Sequence, residues 1–440
     1  MSTSVRHAAS ALTVIAAQVL LCYSLSSHLP VLAETTEVET VDEVDLTVSS
    51  RLDAKTTSDM HNDNTILRNV EVATKDEEGV VLFDALRIWA GGAMQYDYHS
   101  FDGIYHNAGD GERDSGGAVR RMEIILRTQL YDWGEAKFQY DLYDGTARDI
   151  YVRWVSDLKP VTVTIGNQKE PMGLDYLTGN KFGFPQEHSL PADGFGAWRS
   201  MGVRLHRAYE FGPGDHKLNI WEPSDSPYVT TSIGVFTKDL EDSHETDHAV
   251  TGRVTTGRYS NGIGKHFGLS ASYRRGEFDQ IRVRPEIRSA DRIRLASPVA
   301  NTLGVVAVEG AYSQGPFTVQ AEAYGADYGG SINGNGIGSY ALAAWSITGE
   351  QSIYQTKWGT FAPVRPRNGR YSAQAFVRLS YARGEDDIDG WNDFKSLTVG
   401  GSVFYRHMRA SVNLLYGKSR TPVNNEDEGA ALNIRAQYIF

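Results

Sequence analysis

The sequence predicts an all-β chain, a transmembrane antiparallel β-barrel of about 16 strands, and three observations carry that prediction. Hydrophobicity alternates with a period of two along strand after strand from Val81 onward. No apolar run beyond the first few dozen residues approaches the ~20 needed to cross a bilayer as a helix. The last strand alternates up to the final residue, Phe440. At 440 residues the chain could hold two or three ordinary domains, yet large barrels run this long as one unit.

The first element is an export signal. Arg6 and His7 precede a mostly apolar run, Ala8 to Tyr23, and Val31-Leu32-Ala33 supplies a small residue at a cleavage point. A leader of residues 1–33 follows, removed after Ala33. A lipoprotein anchor at Cys22 is disfavoured because Leu21 stands where lipidation needs a small residue. Cys22 is the one cysteine, so the exported chain has no disulfides and rests on strand pairing and lipid contact.

The second element, residues 34–80, holds 13 Asp/Glu against 4 Lys/Arg and shows no sustained period. It reads as an acidic, solvated periplasmic linker. The net charge of −12 is mostly this segment; residues 81–440 carry about −4. A basic footprint is absent, so nucleic acid is not a partner.

The barrel domain occupies 81–440. In its first strand Met94, Tyr96 and Tyr98 share a face opposite Gln95 and Asp97. The next sets Met122, Ile124, Leu126 and Leu130 against Arg121, Glu123, Arg127 and Gln129. The third sets Ala136, Phe138, Tyr140 and Leu142 against Glu135, Lys137, Gln139 and Asp141. A soluble sandwich also alternates, but persistent pairing of an apolar face with a charge-dense one suits lipid outside and water inside. Short turns are expected at 132–134, 156–160, 260–266, 315–316 and 406–407. Long loops are expected at 100–118, 168–200, 238–247, 277–303 and 384–395. An even strand count puts both chain ends on the periplasmic side.

The final strand alternates Leu432, Ile434, Ala436, Tyr438 and Phe440 with Asn433, Arg435 and Gln437. Tyr438 and the terminal Phe440 resemble the recognition strand read by the barrel assembly machinery. The stretch Ile165 to Arg204, IGNQKEPMGLDYLTGNKFGFPQEHSLPADGFGAWRSMGVR, resembles the third-loop region of the phosphate-selective porin O and P family. Arg120-Arg121, RVRPE at 282–286, Gly315-Pro316-Phe317 and WSITGE at 345–350 match in the same order. The resemblance implies a long third extracellular loop folded into the lumen. It also implies cationic side chains leading to a constriction, phosphate or polyphosphate as the solute, and a homotrimer.

A channel selects anions by placing Lys and Arg where the lumen is tight and poorly screened. Lys169, Lys181 and Arg199 in the third loop are the leading constriction candidates. Arg121, Arg127, Lys137 and Arg153 sit on inward faces and oppose them. For each, the alternative is a salt bridge that stiffens the wall. A second basic group, Arg282, Arg284, Arg288, Arg292 and Arg294, lies in a long extracellular loop. It reads as an electrostatic funnel, a solvated loop or a contact for lipopolysaccharide phosphates.

The acidic groups around 239–247 and 385–393 lack the fixed spacing of a calcium loop, so no metal is expected. No cofactor motif, HExxH or nucleophile elbow is present, and the histidines (His99, His106, His188, His244, His266) are scattered. The reading is therefore a porin for small anions such as phosphate and not an enzyme. The alternatives are a general diffusion porin and a structural or partner-binding barrel.

Overall fold

The computed structural model describes residues 80–440 apart from 82–85, 107–113, 131–132, 156–160, 180, 182, 212–225, 239–245, 363, 365–370, 389 and 422–425. The leader, the acidic linker up to residue 79 and most of the 239–247 acidic group lie outside the described residues.

Sixteen strands form the wall. The first eight are β1 (Leu86–Phe101), β2 (Asp114–Leu130), β3 (Gly134–Asp141), β4 (Thr146–Val155), β5 (Val161–Lys169), β6 (Arg199–Glu210), β7 (Tyr228–Thr237) and β8 (Thr246–Ser260). The second eight are β9 (Ile263–Phe278), β10 (Val299–Gln314), β11 (Phe317–Ile332), β12 (Gly334–Ser346), β13 (Tyr371–Asp386), β14 (Gly390–Tyr405), β15 (Met408–Arg420) and β16 (Glu426–Ile439). Every strand pairs antiparallel with its sequence neighbours, and β16 returns to β1 with Ala93 opposite Ile439 and Phe101 opposite Ala431. Closure leaves no open edge, which a hydrocarbon solvent would penalise by several kcal/mol for each unpaired group.

The alternation sorts as expected. Outward positions such as Met94, Tyr96, Val306, Leu379 and Leu414 are exposed, the state of a side chain that lipid would cover. Inward partners such as Gln95, Asp97, Glu123, Glu135, Lys137 and Asp141 are buried. A bulge in β2 departs from strict period two: Gln95 pairs with Arg121 and Tyr96 with Val119, so Arg120 is the extra residue. Arg120 is also buried, so two consecutive arginines serve the lumen side.

The connections correct the expected asymmetry. At the end where β1 begins and β16 finishes, two links are long, 211–227 and 347–370. At the other end, β11 and β12 are separated by Asn333 alone. The long loop expected at 384–395 is mostly strand: Arg383 pairs with Asp393 and Asp386 with Gly390, leaving only 387–389 between them. Charge misled there, because strands that project beyond the hydrocarbon are solvated and tolerate Glu and Asp. The third loop is shorter than expected at both ends, since Lys169 closes β5, Arg199 opens β6, and the two face each other in register.

Phe440 closes the seam. Its N–H donates to Gly92 O at 3.2 Å and its carbonyl accepts from Gly92 N at 2.7 Å. Gly92 is required there, since a Cβ would stand 2.6 Å from the Phe440 ring.

Candidate functional site

Three segments fold into the lumen. The third extracellular loop, 170–198, carries two short helices, α1 (Leu174–Thr178) and α2 (Leu190–Gly194). The fifth, 279–298, carries a small ribbon in which Arg282 opposes Arg294. From the end where β1 begins, 347–370 inserts a second ribbon, Tyr354–Gln355 with Thr360–Phe361. Sequence reasoning foresaw only the first of these.

The inserted loops carry their own apolar core. Met172, Leu190 and Phe195 of the third loop pack with Ile281, Val283, Ile287 and Leu295 of the fifth. Each such burial is worth about 1.5–3 kcal/mol, so the loops are held by packing as well as by polar contacts.

Arginines from the wall then pin the loop backbone. Arg409 of β15 donates to the carbonyls of Lys181 (2.9 Å) and Gly183 (2.7 Å). Arg435 of β16 donates to Gln186 O at 2.8 Å and pairs with both Asp97 and Glu187. Arg120 grips both oxygens of Glu187, Nε to Oε1 at 2.9 Å and Nη2 to Oε2 at 3.1 Å. Arg378 of β13 reaches Glu187 O and pairs with Glu286 of the fifth loop at 2.9 Å. Burial raises the Glu187 carboxyl, but Arg120 and Arg435 outweigh it and hold this group well below the usual range. At Asp175 burial is likewise outweighed by the His188 imidazole 3.6 Å away and by Arg378 and the Ser189 N–H, which lower it.

On the side of β2 to β6 the cations outnumber their partners. Glu135 lies between Arg127 Nε and Arg153 Nη1, each at 3.3 Å. Asp149 lies between Lys137 Nζ at 3.1 Å and Arg199 Nε at 2.6 Å. Lys169 and Arg204 make no ion pair among the described residues. Lys169 Nζ donates to Tyr176 O at 2.5 Å and sits 4.8 Å from the centre of that ring. Arg204 Nη1 donates to Lys169 O at 3.3 Å, while its Nε is buried without a hydrogen-bond partner. Four of these six cations thus share Glu135 and Asp149, and Lys169 and Arg204 pair with neither.

The 347–370 insertion meets the same wall. Trp358 stacks on His206 at 4.7 Å, and the Arg153 guanidinium lies 4.9 Å from the Trp358 ring. His206 Nε2 is 2.8 Å from Lys357 O, and Arg253 donates to Gly359 O at 2.7 Å.

The remaining predicted residues separate into other surroundings. Lys181 is buried, with Nζ 2.5 Å from Glu123 Oε2, and Arg121 holds the other Glu123 oxygen at 3.2 Å. In the fifth loop, Arg292 and the Arg284 N–H both engage Asp193 of α2, and Arg288 reaches Asp144 at 3.7 Å. Arg282 and Arg294 are exposed. Arg204 was missed, although Val203 and Leu205 flank it with outward apolar side chains in the signature of an inward cation. Among the described residues no group of three or more His, Cys, Asp or Glu could hold a metal ion.

Residues 88–440 match the family described as phosphate-selective porin O and P. Porin O of Pseudomonas aeruginosa is 25% identical over 425 residues, covering 84% of this chain and 91% of that protein. Among solved structures, the in-vitro folded outer membrane protein OmpT of Vibrio cholerae superposes with a TM-score of 0.51 at 12% identity. It covers 82% of this chain and 99% of OmpT. A trimer form of the same protein gives 0.50 at 12% identity, over 81% and 100%.

Proposed function

Since this chain belongs to the phosphate-selective porin O and P family, we propose that its lumen conducts small oxyanions, phosphate among them, along the wall formed by β2 to β6. The chain is an outer-membrane porin, and the selective step is assigned to the gap between that wall and the third loop. One observation carries the reading: Lys169 and Arg204 lie beside each other, and neither makes an ion pair among the described residues. A cation with no paired carboxylate keeps its charge and N–H groups for an anion in transit.

The neighbouring cations fit the same role. Arg127, Arg153, Lys137 and Arg199 share Glu135 and Asp149, and those two carboxylates keep the wall from binding an anion too tightly to release it. A guanidinium addresses phosphate in a bidentate manner, whereas Lys169 acts as a point charge. Lys181, tied to Glu123, serves as a strut in this reading, as does Arg121. Arg282 and Arg294 stand at the mouth and raise the local anion concentration. We also take the chain to be processed after Ala33, inserted by the barrel assembly machinery and assembled as a homotrimer, with no enzymatic activity.

The test is the reversal potential of the purified protein in a planar bilayer under a potassium chloride gradient. It is followed by inhibition of chloride current on adding phosphate. Anion preference and inhibition at low phosphate support the reading. A reversal potential at zero points to a general diffusion porin instead.

A further inference from the structure

We propose that Glu322 is the latch that sets the open width of the pore by clasping the third loop from the opposite wall. This rests on reading that loop as the constriction, and it concerns a residue that carries no ion pair among the described residues.

Glu322 projects inward from β11, between the outward residues Ala321 and Ala323. The loop departs from β5 and β6, six and five strands away around the wall, so a tie from β11 crosses the lumen. Both carboxylate oxygens are used. The Leu174 N–H donates to Oε2 at 3.0 Å and the Asp175 N–H to Oε1 at 2.6 Å. The Tyr324 hydroxyl donates to Oε2 at 2.7 Å and the Tyr340 hydroxyl to Oε1 at 2.6 Å. Gln320 Nε2 adds a long contact to Oε1 at 3.4 Å.

Two of these donors are backbone N–H groups of the loop, which cannot rotate to become acceptors. They open α1, where the first amides have no partner within the helix, so Glu322 satisfies donors that would otherwise be orphaned. The approach depends on Gly173, which has φ +72°, a conformation suited to glycine. A Cβ there would collide with the Tyr324 hydroxyl and stand 3.0 Å from Glu322 Oε2. Carboxylate, glycine and two tyrosines thus form one device, built half on the wall and half on the loop.

Its chemistry explains why a carboxylate is used. A carboxylate offers two acceptor oxygens, and four hydrogen bonds, one fixed backbone N–H on each oxygen, need both. An amide of the same shape offers one oxygen and sets an NH2 against a backbone N–H. Arg378, Arg409 and Arg435 fasten the loop through its carbonyls, and Glu322 adds a tie of opposite polarity, a wall carboxylate that accepts from loop backbone N–H groups, as Glu123 accepts from the Lys181 side chain. It is a positioning residue, since it acts on the solute only through where it holds the loop.

The experiment records single channels of E322Q, G173A and the double variant in potassium chloride, with outer-membrane level and heat-modifiable mobility as controls on the barrel. The released state of the loop should become about 10-fold more populated in E322Q, the equivalent of about 1.4 kcal/mol. It is read as added conductance levels and open-channel noise. G173A should reproduce this, and the double variant should add little, since each breaks the same tie. Native noise in E322Q, additive effects in the double variant, or failure of both single variants to assemble would each overturn the assignment. The anion preference of the unaltered channel does not enter these readouts, so loss of the selectivity reading and loss of the latch are separable.

Discussion

Charge reversal at Lys169 and Arg204 is the sharpest probe of the cationic wall. An anion about 4 Å from one cation, at an effective dielectric near 20, gains roughly 4 kcal/mol of Coulomb energy before desolvation. Stripping water from the ion cancels most of that, yet a residue of about 1.4 kcal/mol gives tenfold discrimination. Lys169 and Arg204 are inward wall cations that make no ion pair among the described residues, so their field is less compensated than that of Arg127, Arg153, Lys137 and Arg199. The double variant K169E/R204E should therefore shift the anion-to-cation permeability ratio by tenfold or more and bring it to or below unity. K169M/R204M removes attraction without adding repulsion and should land between that variant and the native protein. The assay is reversal potential under a potassium chloride gradient, with phosphate inhibition measured beside it. Arg282 and Arg294 provide the contrast, since exposed charges are screened over about 8 Å at physiological salt. Reversing those two should slow anion entry at low ionic strength and leave the reversal potential near native. If K169E/R204E assembles normally and keeps the native reversal potential, the wall cations are structural. If the Met and Glu variants behave alike, the lesion is a displaced loop and not lost charge.

Other perturbations separate struts from selectors. Lys181→Met leaves Glu123 buried with Arg121 alone, so the third loop should lose about 1–3 kcal/mol of anchoring; conductance should become heterogeneous while anion preference persists, and a loss of preference with uniform conductance would return Lys181 to the selective site. Trp358→Ala removes the ring lying between His206 and Arg153 and should raise single-channel conductance from the periplasmic end; unchanged conductance means that insertion does not narrow the path. Deleting Phe440 or introducing Gly92→Val damages the same seam from its two sides, because a side chain at Gly92 meets the Phe440 ring. Both should lower outer-membrane abundance far more than current per channel, and normal abundance of the Phe440 deletion would refute the assembly role.

Much of the barrel was legible because lipid outside and water inside enforce a strict period of two. Gln95 and Asp97 of β1, or Glu135 and Lys137 of β3, declare their side by neighbour alone. Connections were less legible. Glu385, Asp386 and Asp393 read as loop, but β13 and β14 run past the membrane boundary and pair there. The ribbon around Trp358 gave no signal, since its ties are a stack on His206 and backbone carbonyls offered to Arg253, and composition records neither. The bulge that turns Arg120 toward Glu187 was equally silent, because one extra residue shifts the face of everything beyond it.

The site was harder to read because one residue type serves two purposes in the same lumen. Arg378, Arg409 and Arg435 point inward as Arg153 and Arg204 do, and periodicity cannot tell the two groups apart. What separates them is the acceptor that folding brings. Arg378 pairs with Glu286 and Arg435 with Asp97 and Glu187, which leaves these two little field for a passing ion, and Arg409 spends its N–H groups on the carbonyls of Lys181, Gly183 and Phe184. Arg153 shares Glu135 with Arg127, and Arg204 meets only a single backbone carbonyl. The third loop thus does two things at once. It lies against β11 to β16 and occupies Arg378, Arg409 and Arg435, whereas on β2 to β6 it engages Arg120, Glu123 and Lys169 and, among the described residues, makes no hydrogen bond or ion pair with Arg153 or Arg204. Selectivity then depends on loop position as much as on the count of arginines. Loosening the Glu322 tie should therefore blur anion preference even though no wall cation has changed.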